Sequence, residues 1–184
     1  MTAILIVQET SCLSCNAECQ GTMATKRYHV LSLPRRIYSL LRKPRFIVFW
    51  LFPVWVMLGI SRLMILTVTF RRLAPHLGHP VGLNACTHLL TSQQQRRAFQ
   101  ISQVIRLSSR YCPWVSNCFP QAVTARLLLG LYRIPYSLYF GVARDEDTRE
   151  FKAHAWVAAG RVPVTGGQSF GNFTIVGCYT NNIE

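Results

Sequence analysis

Carboxylates are what this chain has least of. Seven Asp and Glu stand against 20 Lys and Arg, for a net charge of +13. Between Glu18 and Asp145 there is none at all, and Asp145, Glu146, Asp147 and Glu150 then crowd one short stretch. A paired-carboxylate hydrolase or an oxygen-ligated Mg²⁺ site needs acids drawn from several parts of a fold, so this scarcity argues against both. Nucleic-acid signatures are missing too: no zinc-finger spacing, RNP string or KH-type GXXG accompanies the positive charge. A basic surface attracts polyanions in general. Because these arginines flank an apolar segment, a membrane surface is the candidate partner and nucleic acid is not. The first residues lack a basic region ahead of their short apolar run, so a signal peptide is not expected. The expected location is the cytoplasm, with the membrane surface as a candidate site of association.

The seven cysteines are odd in number and scattered, unlike a disulfide framework. Cys12, Cys15 and Cys19 have half the spacing of a metal site, with His29 as a remote fourth ligand, but no second ligand pair follows. Neither a metal nor any other cofactor is expected. Residues 1–25 are polar and aperiodic and read as a disordered extension, with Met23 as the natural start.

What is present suffices for one folded unit: 184 residues, 50% hydrophobic and only 15% charged. Residues 26–45 carry seven Lys and Arg together with His29, interleaved with apolar residues. They read as a basic amphipathic element broken at Pro34 and Pro44. Residues 46–61 are uncharged; Arg62 follows, then another apolar stretch to Phe70. The uninterrupted run falls short of the ~18–20 apolar residues of a spanning helix. Arg62 inside the longer segment costs ~2.5–3.5 kcal/mol, which seven or so strongly apolar residues offset. The reading favoured is a peripheral helix, not a spanning one. Residues 75–80 read as a breaker-rich linker with His76 and His79 in a solvated turn. Residues 92–110 read as an amphipathic helix, with Phe99, Ile101, Val104, Ile105 and Leu107 inward and Arg96, Arg97, Arg106 and Arg110 outward. Three strands are expected after that. In residues 136–142, Tyr136, Leu138, Phe140 and Val142 share a face. In residues 151–158, Phe151, Ala153, Ala155 and Val157 oppose Lys152, His154 and Trp156. Residues 173–179 form the third, and the acidic 145–147 tip joins the first two as a hairpin. Helices followed by an antiparallel sheet make an α+β fold. The expected organisation is an extension (1–25), a helical segment with linker (26–80) and a catalytic domain (81–184).

Chemistry concentrates on Cys118 and His154. Cys118 precedes Pro120, which suits a first helical turn, and a run of good helix formers continues to Tyr132. A thiol at a helix start gains from the dipole and the uncommitted N–H groups there. His154 lies on a strand, where it would serve as general base. Taken singly, a buried inert thiol and a structural histidine are the plain alternatives.

The wording of the segment goes further. Pro113-Trp114-Val115-Ser116-Asn117-Cys118-Phe119-Pro120-Gln121-Ala122 and Arg126-Leu127-Leu128-Leu129 are followed by Leu138-Tyr139-Phe140-Gly141-Val142. Phe151-Lys152-Ala153-His154-Ala155-Trp156-Val157, Gly160-Arg161, Thr165-Gly166-Gly167 and Phe173-Thr174 complete the pattern, and Phe70-Arg71-Arg72-Leu73-Ala74 with Leu77-Gly78 extends it upstream. In order and spacing these strings resemble the lasso peptide biosynthesis B2 proteins, transglutaminase-like cysteine proteases that remove the leader from a lasso precursor. The resemblance implies a papain- or transglutaminase-like helix packed on a small antiparallel sheet, with Cys118 as nucleophile and His154 as base. It implies as partners a precursor peptide, a separate leader-binding B1-type protein and a macrocyclase. Relatives often carry an acid where this chain reads Thr165-Gly166-Gly167, so the third catalytic group is unassigned; Asn172, Asn181 and Asn182 are amide candidates. A transglutaminase-like acyl transferase and a non-catalytic, membrane-associated basic adaptor are the rival functions.

Overall fold

Helix α1 (Arg45–Thr67) follows Pro44 and buries Ile47, Val54, Leu58 and Ser61, residues at spacings of seven, four and three that fall on one face. This is a computed structural model, and it describes residues 43–82, 87–144, 150–167 and 171–181. The expectations for residues 1–42 (Cys12, Cys15, Cys19 and His29 among them), the 145–147 tip and Asn182 lie outside the described residues. After α1 come a one-turn helix α2 (Phe70–Leu73), a 3-10 turn (Ala74–His76) and strand β1 (His79–Gly82). Helices α3 (Ser92–Arg110) and α4 (Cys118–Leu131) precede β2 (Ser137–Arg144), β3 (Phe151–Ala159), β4 (Val162–Thr165) and β5 (Thr174–Thr180). The strands form one antiparallel sheet in the order β1-β5-β2-β3-β4. The architecture is α+β, as expected.

Local chemistry accounts for several boundaries. Thr91 opens α3 with a capping box: its hydroxyl accepts from the Gln94 N–H, and the Gln94 side chain accepts from the Thr91 N–H at 3.0 Å. Arg133 closes α4 at φ +50°, with Ile134 N–H donating to Leu129 O and Arg133 N–H to Gly130 O. That is the paired-bond termination that turns a helix sharply, here into β2. Asn181 fixes the start of β2 by accepting from Tyr136 N–H at 2.8 Å and donating to Ile134 O at 3.2 Å.

Two expectations need correction. Residues 75–80 are not a simple linker, because their last two residues begin β1, paired with β5 through His79 and Thr180. A four-residue edge strand containing Pro80 carries none of the alternation that marks a longer strand. In α3, Phe99 is 55% exposed, and Ala98 takes the inward place beside Ile101, Val104 and Ile105. His76 and His79 are exposed.

The two faces of the sheet are distinct. One face, through Leu138, Ala155, Val157 and Ala159, packs on α4 residues Ala122, Ala125, Leu128 and Leu129; Val54 and Leu58 of α1 and Ile101, Val104 and Ile105 of α3 belong to the same core. The other face carries a second cluster of Tyr139, Trp156 and Cys178, with Phe173 and Ile175 against it.

Candidate active site

Cys118 is the first residue of α4, and its thiol is half-buried. No side chain caps the helix start. Asn117 takes the extended N-cap conformation but makes no side-chain cap, and no acid lies in the first turn. The first N–H groups of a helix need partners, and those of α3 have the Thr91 box whereas α4 has no such cover. Gln121 instead reaches back, donating from Nε2 to Ser116 O at 2.8 Å and holding the loop over the helix start. Trp114 Nε1, Ser116 Oγ and Asn117 Oδ1 in that loop are buried without a hydrogen bond among the described residues. Such a concentration of unsatisfied polar atoms is unusual for a purely structural loop.

His154 sits on β3 opposite Gly141 of β2 and is 4% exposed. Its ring is stacked on Phe173 (centroids 5.0 Å apart, planes at 28°) and on Trp156 (5.8 Å, 24°). The seat depends on glycines. A Cβ on Gly141 would fall 2.7 Å from the Trp156 ring and 2.8 Å from Phe173 Cβ. A Cβ on Gly166, which has φ +66°, would fall 2.8 Å from His154 Nε2 and 2.7 Å from Trp156 Cβ. One on Gly167 would overlap Pro163 Cβ. Bare backbone therefore fills the space beside the His154 ring. Burial lowers the His154 pKa from the ordinary imidazole value; the nearby Gly166 main chain acts in the opposite sense and more weakly. That approach does not reach hydrogen-bond geometry, and neither ring nitrogen has a hydrogen-bond partner among the described residues. Burial thus favours the neutral imidazole.

Cys118 and His154 border one cavity of about 110 Å³, with Phe70, Phe140, Gly141 and Val176 among its other walls. Val176 marks a register shift in β5 opposite the Phe140–Gly141 step, a bulge of the kind that re-aims residues near functional sites. Alternation along β3 separates the two side chains, however. Ala155 faces the α4 side, where Phe140 meets Phe119 at 5.7 Å, whereas His154 shares the opposite face with Trp156. Both residues border the same cavity, but the His154 ring lies on the sheet face away from α4, and no hydrogen bond joins it to the thiol. Of the amide candidates, Asn181 is committed to the start of β2 and Asn172 is exposed. Sequence reasoning passed over Phe70, Val176 and Phe173. Val176 carries no motif, and Phe70 and Phe173 entered only through the string resemblance and, for Phe173, as the start of a strand.

No curated protein and no solved structure matches this chain. A family model does: the one for the transglutaminase-like superfamily covers residues 62–177, from the second half of α1 into β5. That span holds the helix opened by a cysteine, the strand bearing a histidine and the glycine pair beside it, and with well over half its length matched, the chain belongs to the transglutaminase-like superfamily.

Proposed function

We propose that the protein is a cysteine peptidase that removes the leader from a lasso peptide precursor. The observation that carries this reading is Cys118 at the start of α4, which no side chain caps, on a cavity that His154 also borders. In the proposed reaction the Cys118 thiolate attacks the scissile carbonyl. His154 takes up the thiol proton and returns it to the leaving amine. Backbone N–H groups at the start of α4 stabilise the oxyanion, and water then releases the acyl group from Cys118. A neutral imidazole is the protonation state a base requires. In the absence of substrate the pair is not hydrogen-bonded, and the reading requires precursor binding to bring thiol and imidazole into contact. The string resemblance supplies the substrate class and the partners: the precursor, a leader-binding protein acting in trans, and a macrocyclase. An amine acceptor in place of water would make the same site an acyl transferase.

One observation favours a second reading. The His154 ring is wedged between aromatics on the sheet face away from α4, and no acid accompanies it among the described residues, which suits a non-catalytic adaptor with a degenerate site. Thiol labelling and turnover separate the two. On the first reading Cys118 reacts with iodoacetamide faster than Cys112, whose pKa is raised by burial, and faster than buried Cys178. Cys118→Ala then abolishes precursor cleavage in a protein with an unchanged far-UV spectrum. Undiminished cleavage by Cys118→Ala would overturn the peptidase reading.

A further inference from the structure

Helix α1 is apolar on both sides, and the fold uses only one of them. Ile47, Val54, Leu58 and Ser61 enter the core. On the opposite side Val48, Phe49, Phe52, Ile60, Leu63 and Leu66 are exposed, Phe49 and Phe52 by 72% and 71%. At 100° per residue these six fall within one stripe centred about 180° from the buried row, running on the order of 27 Å along the helix. An apolar face of that extent on a protein surface marks something that covers it.

Charge identifies the cover. Lys43 and Arg45 lie exposed at the start of α1 and Arg71 and Arg72 just beyond its end, so cations bracket the stripe. A cavity lined by Lys43, Arg106 and Arg110 extends the positive region around the same start. Glu150 is the only carboxylate among the described residues. A second copy of this chain would bring like charges together at both ends of the stripe, in a protein of net charge +13. A bilayer with anionic headgroups meets both features at once: its acyl boundary takes the apolar stripe and its phosphates take the flanking cations.

The helix is also long and apolar enough to cross a membrane, by length and composition. Its core contacts oppose that. Trp50 donates to the Tyr132 hydroxyl at 2.7 Å, Ser108 donates to Leu51 O, and Ser61 and Thr124 share a hydrogen bond at 3.2 Å. Crossing a bilayer would pull all of these out of the core.

We propose that α1 is an interfacial anchor, lying in the plane of an anionic membrane with Val48, Phe49, Phe52, Ile60, Leu63 and Leu66 in the lipid while its other face stays in the protein core. The test is co-sedimentation of the full chain with vesicles of phosphatidylcholine alone or mixed equally with phosphatidylglycerol. The protein is expected to bind the mixed vesicles more tightly, to lose affinity as salt rises, and to be released by alkaline carbonate. The Phe49→Gln/Phe52→Gln variant replaces only exposed side chains and should melt like the parent. Its binding should fall by about tenfold or more, since each ring loses much of its transfer free energy. Equal binding to both vesicle types, undiminished binding by the double variant, or retention through carbonate would each overturn the proposal; the last would mean a spanning helix. So would self-association abolished by the same two substitutions without any vesicle binding. None of these outcomes bears on Cys118 chemistry, which is read separately by cleavage and thiol labelling.

Discussion

Gly166→Ala tests the construction of the site at its tightest point. The perturbation is one methyl group, with two separable costs. Gly166 adopts φ +66°, and an L-residue in that left-handed region costs about 1–2 kcal/mol. The new Cβ would also stand 2.8 Å from His154 Nε2 and 2.7 Å from Trp156 Cβ. Neither neighbour gives way easily: Trp156 is fully buried, and the imidazole is stacked on two rings. Overpacking of this kind costs about 1–3 kcal/mol. The sum is about 2–5 kcal/mol, a large part of the ~5–15 kcal/mol that holds a typical domain together, and about 4–20 °C in Tm at this chain length. The assay is urea or thermal unfolding followed by circular dichroism, with Gly130→Ala as reference. Gly130 is an exposed residue of α4 whose added Cβ would meet nothing within 4 Å, so Ala there should stabilise by about 0.5–1 kcal/mol. A loss under ~1 kcal/mol at Gly166, below the cost of the backbone conformation alone, would show that the glycine pair is not what seats the imidazole. Gly166→Asp should be at least as damaging, because the acid cannot be restored without the same Cβ.

His154 should make stability depend on pH. Burial depresses its folded-state pKa below the ordinary 6.5, so the unfolded chain binds the proton more readily, and stability rises with pH across that interval. The contribution is complete above about pH 6.5 and is lost as pH falls toward the folded-state value; His154→Phe, which keeps an aromatic in the stack, should flatten this part of a Tm–pH profile. Asn181→Leu should cost about 1–3 kcal/mol by stranding the Tyr136 N–H and the Ile134 carbonyl, yet leave the rate of Cys118 labelling unchanged; a large fall in that rate would return Asn181 to the list of site residues. Arg97 lies 4.3 Å above the Phe46 ring and 5.1 Å from that of Tyr132. Arg97→Leu should therefore destabilise by about 0.5–2 kcal/mol in chemical denaturation, chiefly by loosening α1 from α3 and α4.

The elements legible in the sequence were those whose periodicity is long. The 19 residues of α3 end where the pattern of apolar positions and arginines ends, at Ser92 and Arg110. The β2–β3 hairpin follows from two alternating runs on either side of an acidic tip. What escaped was short or set by distant partners. β1 and β4 are four residues each and each contains a proline, so their existence depends on neighbours that the local pattern does not reveal. Phe99 was misplaced for a related reason: the inward position on α3 goes to Ala98, and no propensity rule says which of two adjacent apolar residues will face the core.

The same reasoning applies to the candidate site. Cys118 at a helix start and His154 on a strand were both readable, and so was the opposition of His154 to Ala155 and Val157. What decides the geometry is which row of β3 meets the helix. Ala153, Ala155, Val157 and Ala159 form a row of small apolar side chains, the kind that lets a helix lie close on a sheet, and Ala155, Val157 and Ala159 are buried in the core that α4 occupies. Period two then sends His154 and Trp156 to the other face without further assumption. There the ring needs cover that is not a helix, and the chain supplies it from Trp156, Phe173 and the bare backbone of Gly166. The glycine pair that looked like a gap where an acid belongs is thus a packing element in its own right. The bare Cα of Gly166 is what leaves room for a buried imidazole, on a residue that borders the same cavity as Cys118.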